Sequence, residues 1–222
     1  MIVNYPRVRK RVLLEPQFTT FWSKNEFSLG GGIDYFSGIQ WNGVLQWSTD
    51  KKQWLTYTGD AVKSSLVDGR HELYFRGEGN TTIAGSADGV FYLKGKNIHW
   101  EGNIESLLDH KIVERGKHPP MALGCFQNMF RAFNDNITLI SLPDFPAVTL
   151  SPDCYDRMFM GQKGIRASET MIGNYSTPFR IPLSGDAISA KLATLDMFYS
   201  TGGTFTGTPE INRTYYLDTT DL

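Results

Sequence analysis

Two cysteines in 222 residues are too few to build a disulfide framework. Neither sign of charge predominates. The 22 Lys and Arg are set against 23 Asp and Glu, a formal net charge of −1, so the chain as a whole has no electrostatic bias toward nucleic acid or an acidic membrane. A run of about 18 apolar residues, the length a transmembrane helix needs, occurs nowhere. No apolar leader follows Met1 and its basic cluster, and the expectation is a protein made and folded in a cytosol. Under that expectation the four Asn-x-Ser/Thr matches, at Asn80, Asn136, Asn174 and Asn212, read as chance.

Catalytic signatures are also missing. The chain has no G-x-S-x-G, no H-E-x-x-H and no C-x-x-C. Gly89 to Gly95-Lys96-Asn97 fails as a phosphate loop, because the spacing is one residue long and Asn97 stands where Ser or Thr is needed. Gly30-Gly31-Gly32 has no Lys-Ser or Lys-Thr after it, and reads as a hinge. Gly77-x-Gly79 lacks the third glycine of a dinucleotide fingerprint. His71, His99, His110 and His118 are dispersed. His71 and His99 on strands of one sheet are the nearest approach to a metal pair, and surface or half-buried histidines are the reading adopted. The expectation is a non-enzymatic protein with no metal and no cofactor.

Among what is present, aromatics reach 13% with five Trp, and Gly counts 22, a combination that favours a β-rich domain with many turns. Residues 1–32 read as an N-terminal arm. Arg7, Arg9, Lys10 and Arg11 alternate with Val8 and Val12 as a basic edge strand. This is either a solvated face or a dock for an acidic partner. Phe18, Phe21, Trp22 and Phe27 need burial, on the body or against a neighbouring subunit. Residues 33–110 read as an antiparallel β-sandwich-like domain with a connecting helix. A hairpin runs from Trp41–Trp47 through a polar turn to Trp54–Tyr57, and further strands cover Val62–Val67, Leu73–Arg76, Val90–Leu93 and Ile98–Trp100. Asn103 is the expected cap of a helix carrying Ile104, Leu107 and Leu108. Trp41, Leu45 and Trp47 alternate inward. A sugar-stacking platform of Trp41, Trp47, Trp54 and Trp100 is the alternative.

Residues 111–222 contain a repeat. Cys125-Phe126-Gln127-Asn128-Met129-Phe130 and Cys154-Tyr155-Asp156-Arg157-Met158-Phe159 share Cys-aromatic-x-x-Met-Phe at a step of 29 residues. The aromatic, the Met and the last Phe fall at i, i+3 and i+4, so the spacing predicts one apolar face of a short helix in each unit. The cysteines occupy equivalent core positions as buried free thiols, a disulfide between stacked units being the other option. A decayed third unit ends in Met197-Phe198, with a helix expected from Asp186 onward. The 39-residue step from Met158 to Met197 implies an insertion near Asn174 to Ser184. Tyr215-Tyr216-Leu217 reads as a last strand and a cap on the stack.

These units resemble the leucine-rich repeats of the BspA-like class, in which Cys-Tyr-x-x-Met-Phe opens a short helix and a Leu-Pro-rich strand follows. Ala122–Phe130, Leu139–Pro143, Pro146–Leu150 and Cys154–Phe159 carry the resemblance. Leu45–Asp50, Trp54, Leu73–Gly77 and Gly102–Leu108 resemble the β domain that precedes such repeats in phage and gut-bacterial proteins. The likeness covers roughly residues 40–160. The chain departs from the class in having two recognisable units, a longer step and an unplaced arm. The resemblance implies an α+β fold with a leucine-rich-repeat-like stack of strand plus helix. It also implies a bacteriophage virion structural protein of capsid or tail, made in the host cytoplasm and docking on other virion proteins in many copies or as a homo-oligomer. The alternative it leaves is a host-attachment adhesin that binds surface glycan. It carries over no catalytic residue, and neither nucleic acid nor membrane is expected as a partner.

Overall fold

The computed structural model describes residues 17–35, 38–85, 90–132, 138–188 and 190–222. Arg7, Arg9, Lys10 and Arg11 of the expected arm lie outside these residues. The fold is β-rich. Its strands are β1 (Thr19–Ser23), β2 (Ser28–Gly31), β3 (Ile33–Asp34), β4 (Gly38–Ile39), β5 (Val44–Ser48), β6 (Leu55–Thr56), β7 (Val62–Lys63), β8 (Ser65–Val67), β9 (Arg70–Glu78), β10 (Phe91–Lys94) and β11 (His99–Glu101). A short helix, α1 (Ser106–Glu114), follows. β12 (Ala167–Ser168), β13 (Thr177–Arg180) and β14 (Thr214–Leu217) come late.

β1 illustrates how the sequence builds the main sheet. Its period-two alternation turns Thr19, Phe21 and Ser23 inward and leaves Thr20 and Trp22 on the outer face. The sheet order is β11-β1-β9-β5-β6, with β8 also on β9. Thr19–Ser23 and Ser28–Gly31, expected within an arm, are therefore integral strands. The triple glycine is not a hinge. Gly30 and Gly31 pair with Tyr92 and Phe91 in the second sheet, β10-β2-β7, where the ring of Tyr92 lies so close that a Cβ on Gly30 would collide with it. The expected hairpin forms, with Gln46 opposite Thr56 and Trp47 opposite Leu55. Val62–Val67 splits, its two halves joining different sheets. Tyr57 links the sheets, its ring 5.4 Å from Phe75 and 6.1 Å from Phe91.

The connecting helix begins later than expected. Asn103 Oδ1 accepts from the Glu105 N–H at 2.8 Å, closing an Asx turn, and α1 then starts at Ser106.

The helices expected over Cys125–Phe130, Cys154–Phe159 and Asp186–Phe198 are absent. In their place are ribbons of consecutive β-turns. Within each ribbon alternate N–H groups bond locally from i+3 to i, as Gln127 to Gly124, Met129 to Phe126 and Arg131 to Asn128. The remaining N–H groups cross to the next ribbon. Gly124, Phe126, Asn128, Phe130 and Ala132 donate to the carbonyls of Pro152, Cys154, Asp156, Met158 and Met160. Asp153, Tyr155, Arg157, Phe159 and Gly161 donate to Lys191, Ala193, Leu195, Met197 and Tyr199. Every fourth residue takes a positive φ: Gly124 and Asn128, then Asp153, Arg157 and Gly161, then Leu192, Asp196 and Ser200. That conformation at the third position of every second turn is what a type II turn requires. An α-helix is excluded because it would spend all these N–H groups internally and leave none to join the layers.

Three ribbons thus stack, and the first sits on the β domain, where Ile83 and Phe91 donate to the Cys125 and Met129 carbonyls. Parallel bridges at Ile98–Leu139, Asn103–Asp144 and Thr149–Ile188 join the layers elsewhere. One buried cluster runs without a break from Phe21 and Phe75 through Trp100, Phe130 and Phe159 to Phe198 and Tyr215. β14 lies between β12 and β13 in a small antiparallel sheet at the far end, as the expected last strand. Beyond it the chain turns back toward the first sheet. Arg166 pairs with Asp218 at 3.1 Å, Asp221 meets Lys24 at 2.6 Å, and the Leu222 N–H donates to Asn97 Oδ1 at 3.3 Å.

Candidate functional site

The eight repeat residues singled out by spacing are all brought together. Cys125, Phe126, Met129, Phe130, Cys154, Tyr155, Met158 and Phe159 are buried, none more than 3% exposed. The third ribbon supplies Ala193, Thr194, Met197 and Phe198 at the matching positions, also buried. Phe126 stacks on Tyr155 at 5.8 Å and Phe159 on Phe198 at 6.2 Å. These residues form a dry seam rather than a reactive centre. Both cysteines are free thiols. Burial pushes the Cys154 thiol up to about 12 and that of Cys125 well above its ordinary value. Such thiols stay protonated at neutral pH, the opposite of a nucleophilic cysteine.

The aromatic residues assigned to the arm lie on the body. Phe21 packs on Trp100 at 5.0 Å. Phe18 sits edge-on to Tyr74 at 5.5 Å on the outer face. Trp22 is held between the His99 ring, parallel at 3.8 Å, and the Arg70 guanidinium at 4.7 Å, because β1 lies between β11 and β9. Its Nε1–H donates to Glu101 Oε1 at 2.7 Å. Trp41 and Trp100 are core residues, Trp47 is half-buried against the core, and the Arg76 guanidinium lies 4.1 Å from the Trp54 ring. The four tryptophans named for a sugar platform therefore do not share an open face.

His71 and His99 do lie in one sheet, but on opposite faces, since they register with the successive residues Ser23 and Trp22. Among the described residues no group of three His, Cys, Asp or Glu side chains is placed to hold a metal ion. No helix of the described residues is long and apolar enough to cross a membrane.

A site that sequence reasoning missed lies where the β domain meets the stack. A groove of about 690 Å³ runs between the segment Gly116–Met121 and the extended segment Val148–Ser151. Pro119, Pro120, Met121, Val148 and Leu150 give it apolar walls, and Lys117 and His118 stand in it. His118 Nδ1 lies 2.7 Å from Glu105 Oε2. Glu105 is 1% exposed, and burial raises its carboxyl above the ordinary range, opposed by the imidazole beside it. Its second oxygen, Oε1, has no hydrogen-bond partner among the described residues. The arrangement fixes one ring nitrogen of His118 and leaves Nε2 for a ligand. The Ser151 hydroxyl donates to the Ala122 carbonyl at 2.6 Å, so it is held in the wall. No sequence motif marks this groove, because its two walls are nearly 30 residues apart. The signal available was His118-Pro119-Pro120, a rigid extended segment next to a titratable ring.

Comparison of the chain with protein-family models, with curated proteins and with solved structures finds no match.

Proposed function

We propose that this chain is a non-enzymatic structural protein of a bacteriophage particle, a short BspA-like leucine-rich-repeat stack mounted on a β domain. It docks on neighbouring virion proteins of capsid or tail and presents its repeat end as a binding surface, in many copies per particle. The observation that carries the reading is where the chain puts its side chains. The sulfur-bearing and ring-bearing groups of the repeat are sealed in the seam. Large apolar side chains stand exposed at Met171, Ile172 and Leu183 between the second and third ribbons and at Ile188, Leu192 and Tyr199 in the third layer, as they also do on the β domain at Tyr35, Leu55 and Leu66. Exposed apolar surface of this kind marks contact with another macromolecule more often than chemistry on a small substrate. Support also comes from the resemblance of Cys125–Phe130 and Cys154–Phe159 to the repeat class found in phage proteins.

The test is made on purified particles of the phage that encodes the chain. Mass spectrometry detects the chain at a fixed ratio to the major capsid protein, and gold-labelled antibody decorates one repeated position in electron micrographs. A particle preparation free of the chain, with the chain left in the soluble fraction of the lysate, ends the proposal.

A further inference from the structure

We infer that the groove between Gly116–Met121 and Val148–Ser151 receives an extended peptide segment carrying a carboxylate, which adds as a strand to the free edge at Thr149. The edge follows from the bridge on its other side. Ile188 donates to the Val148 carbonyl and Leu150 donates to the Ile188 carbonyl, at 3.0 and 3.3 Å. In a parallel ladder this spends the groups of residues 148 and 150 on that neighbour and turns both peptide groups of Thr149 to the opposite side. That side is the groove, which Thr149 lines and where it is exposed. Among the described residues Thr149 has no bridge to the layer above, which pairs with this segment at Asn103–Asp144 and then enters α1 at Ser106.

An incoming strand finds two backbone partners at Thr149 and apolar walls for alternate side chains, which is how peptides add to sheet edges. Charge selects among peptides. Lys117 and His118 line the groove and no carboxylate does. Glu105 is buried and takes Nδ1 of His118, a ring that lines the groove, which leaves Nε2 without a hydrogen-bond partner among the described residues. A peptide carboxylate placed between the Lys117 ammonium and His118 Nε2 meets complementary groups on both sides. This inference does not depend on the chain's belonging to a virus particle.

The experiment pans a phage-displayed library of random peptides against the full chain and measures enriched peptides by fluorescence polarisation. The peptides are titrated against wild type, Thr149→Pro and Lys117→Glu. Enriched sequences are expected to share Asp or Glu beside alternating apolar residues. Thr149→Pro removes one edge N–H and weakens binding roughly three- to tenfold, the range for one hydrogen bond. Lys117→Glu weakens it by at least as much. Both positions are exposed, so both variants keep the wild-type melting temperature; should Thr149→Pro misfold, Lys117→Glu carries the test alone. Amide shifts of Thr149 and Lys117 move on titration. Failure to enrich any sequence above the blank support overturns the inference, and so do enriched peptides that bind both variants as tightly as wild type.

Discussion

Phe159 is the side chain through which the β domain and the last layer communicate, and Phe159→Ala tests whether they form one cooperative unit. Its ring is fully buried, with centroids 6.2 Å from Trp100, 6.4 Å from Phe145 and 6.2 Å from Phe198. Burial of a Phe removes about 200 Å² from water, and truncation to Ala returns about two-thirds of it. At ~25 cal/mol per Å² the transfer loss is roughly 3 kcal/mol. The residual cavity and the lost ring pairs bring the total to about 4 kcal/mol, within the range for buried Phe to Ala. With a urea slope of roughly 2.5 kcal/mol per molar, the unfolding midpoint falls by about 1.6 M. The readout is favourable because all five tryptophans lie between Trp22 and Trp100, in the β domain, whereas Phe159 is in the second ribbon. Unfolding is followed by Trp fluorescence and by far-ultraviolet circular dichroism. One continuous core requires both probes to shift together. Ile188→Ala, at a side chain 75% exposed, serves as control and moves neither by more than about 0.5 kcal/mol. An unmoved Trp transition beside an early circular-dichroism transition would refute the reasoning and make the stack a separate domain.

Tyr155→Phe is expected to stabilise the protein by about 1 kcal/mol in thermal unfolding, because the buried Tyr155 hydroxyl has no hydrogen-bond partner among the described residues and Phe126 already fills the matching position one layer up. Gly161→Ala is expected to lower stability by more than about 1 kcal/mol, since Gly161 has φ +80° and a Cβ there would collide with the Ala132 carbonyl. Leu192→Gly, at φ 57° and 46% exposed, is expected to be neutral or slightly stabilising in the same assay. Glu105 titrates above its ordinary 4.5 in the folded chain, so the fold holds that proton more tightly than the unfolded chain does. The resulting stability is fully present below pH 4.5 and is lost as pH rises through the folded value. Melting temperatures of Glu105→Gln measured from acid to neutral pH should therefore decline less than those of wild type. A steeper decline in the variant would contradict this. A thiol reagent such as Ellman's is expected to leave Cys125 and Cys154 unlabelled in native buffer and to modify both in denaturant.

The β half was legible because strand alternation and turn chemistry are local signals: the hairpin Val44–Ser48 to Leu55–Thr56 and the strands around Leu73, Phe91 and Trp100 follow from them. The seam was legible as a set of buried residues, and the segment expected as an insertion near Asn174 to Ser184 holds β13, while β12 precedes it. The conformation of the seam was not legible from apolar spacing. A ribbon of turns in which every second one is type II and an α-helix both put i, i+3 and i+4 on one side, so the two could not be told apart by that pattern. The distinguishing signal lay in the residues between. Gly124, Asn128, Asp153, Gly161 and Asp196 tolerate positive φ, and within a ribbon they are spaced by four or eight residues rather than capping the units. The groove stayed hidden because Glu105, His118 and Thr149 meet only through the stacking of layers.

The direction of the inter-layer hydrogen bonds explains why such a stack needs an end. From the first ribbon to the third, the ribbon-to-ribbon bonds run one way, with N–H groups of each layer donating to carbonyls of the next. The third ribbon inherits outward N–H groups with no fourth ribbon to accept them. A buried N–H left unsatisfied costs about 1–3 kcal/mol, so the chain must close this face. Gly207 to Pro209 does so without repeating the motif. Phe198 donates to the Gly207 carbonyl at 3.0 Å, Asp196 to Thr208 Oγ1 at 2.9 Å, and the Thr194 hydroxyl to the Pro209 carbonyl at 2.8 Å. Thr194 stands where the earlier layers carry Phe126 and Tyr155, so the third unit's decay from aromatic to hydroxyl is its adaptation to being last. Added layers would therefore have to enter ahead of Ala193, and Thr194→Tyr would crowd the buried cap rather than extend the aromatic row.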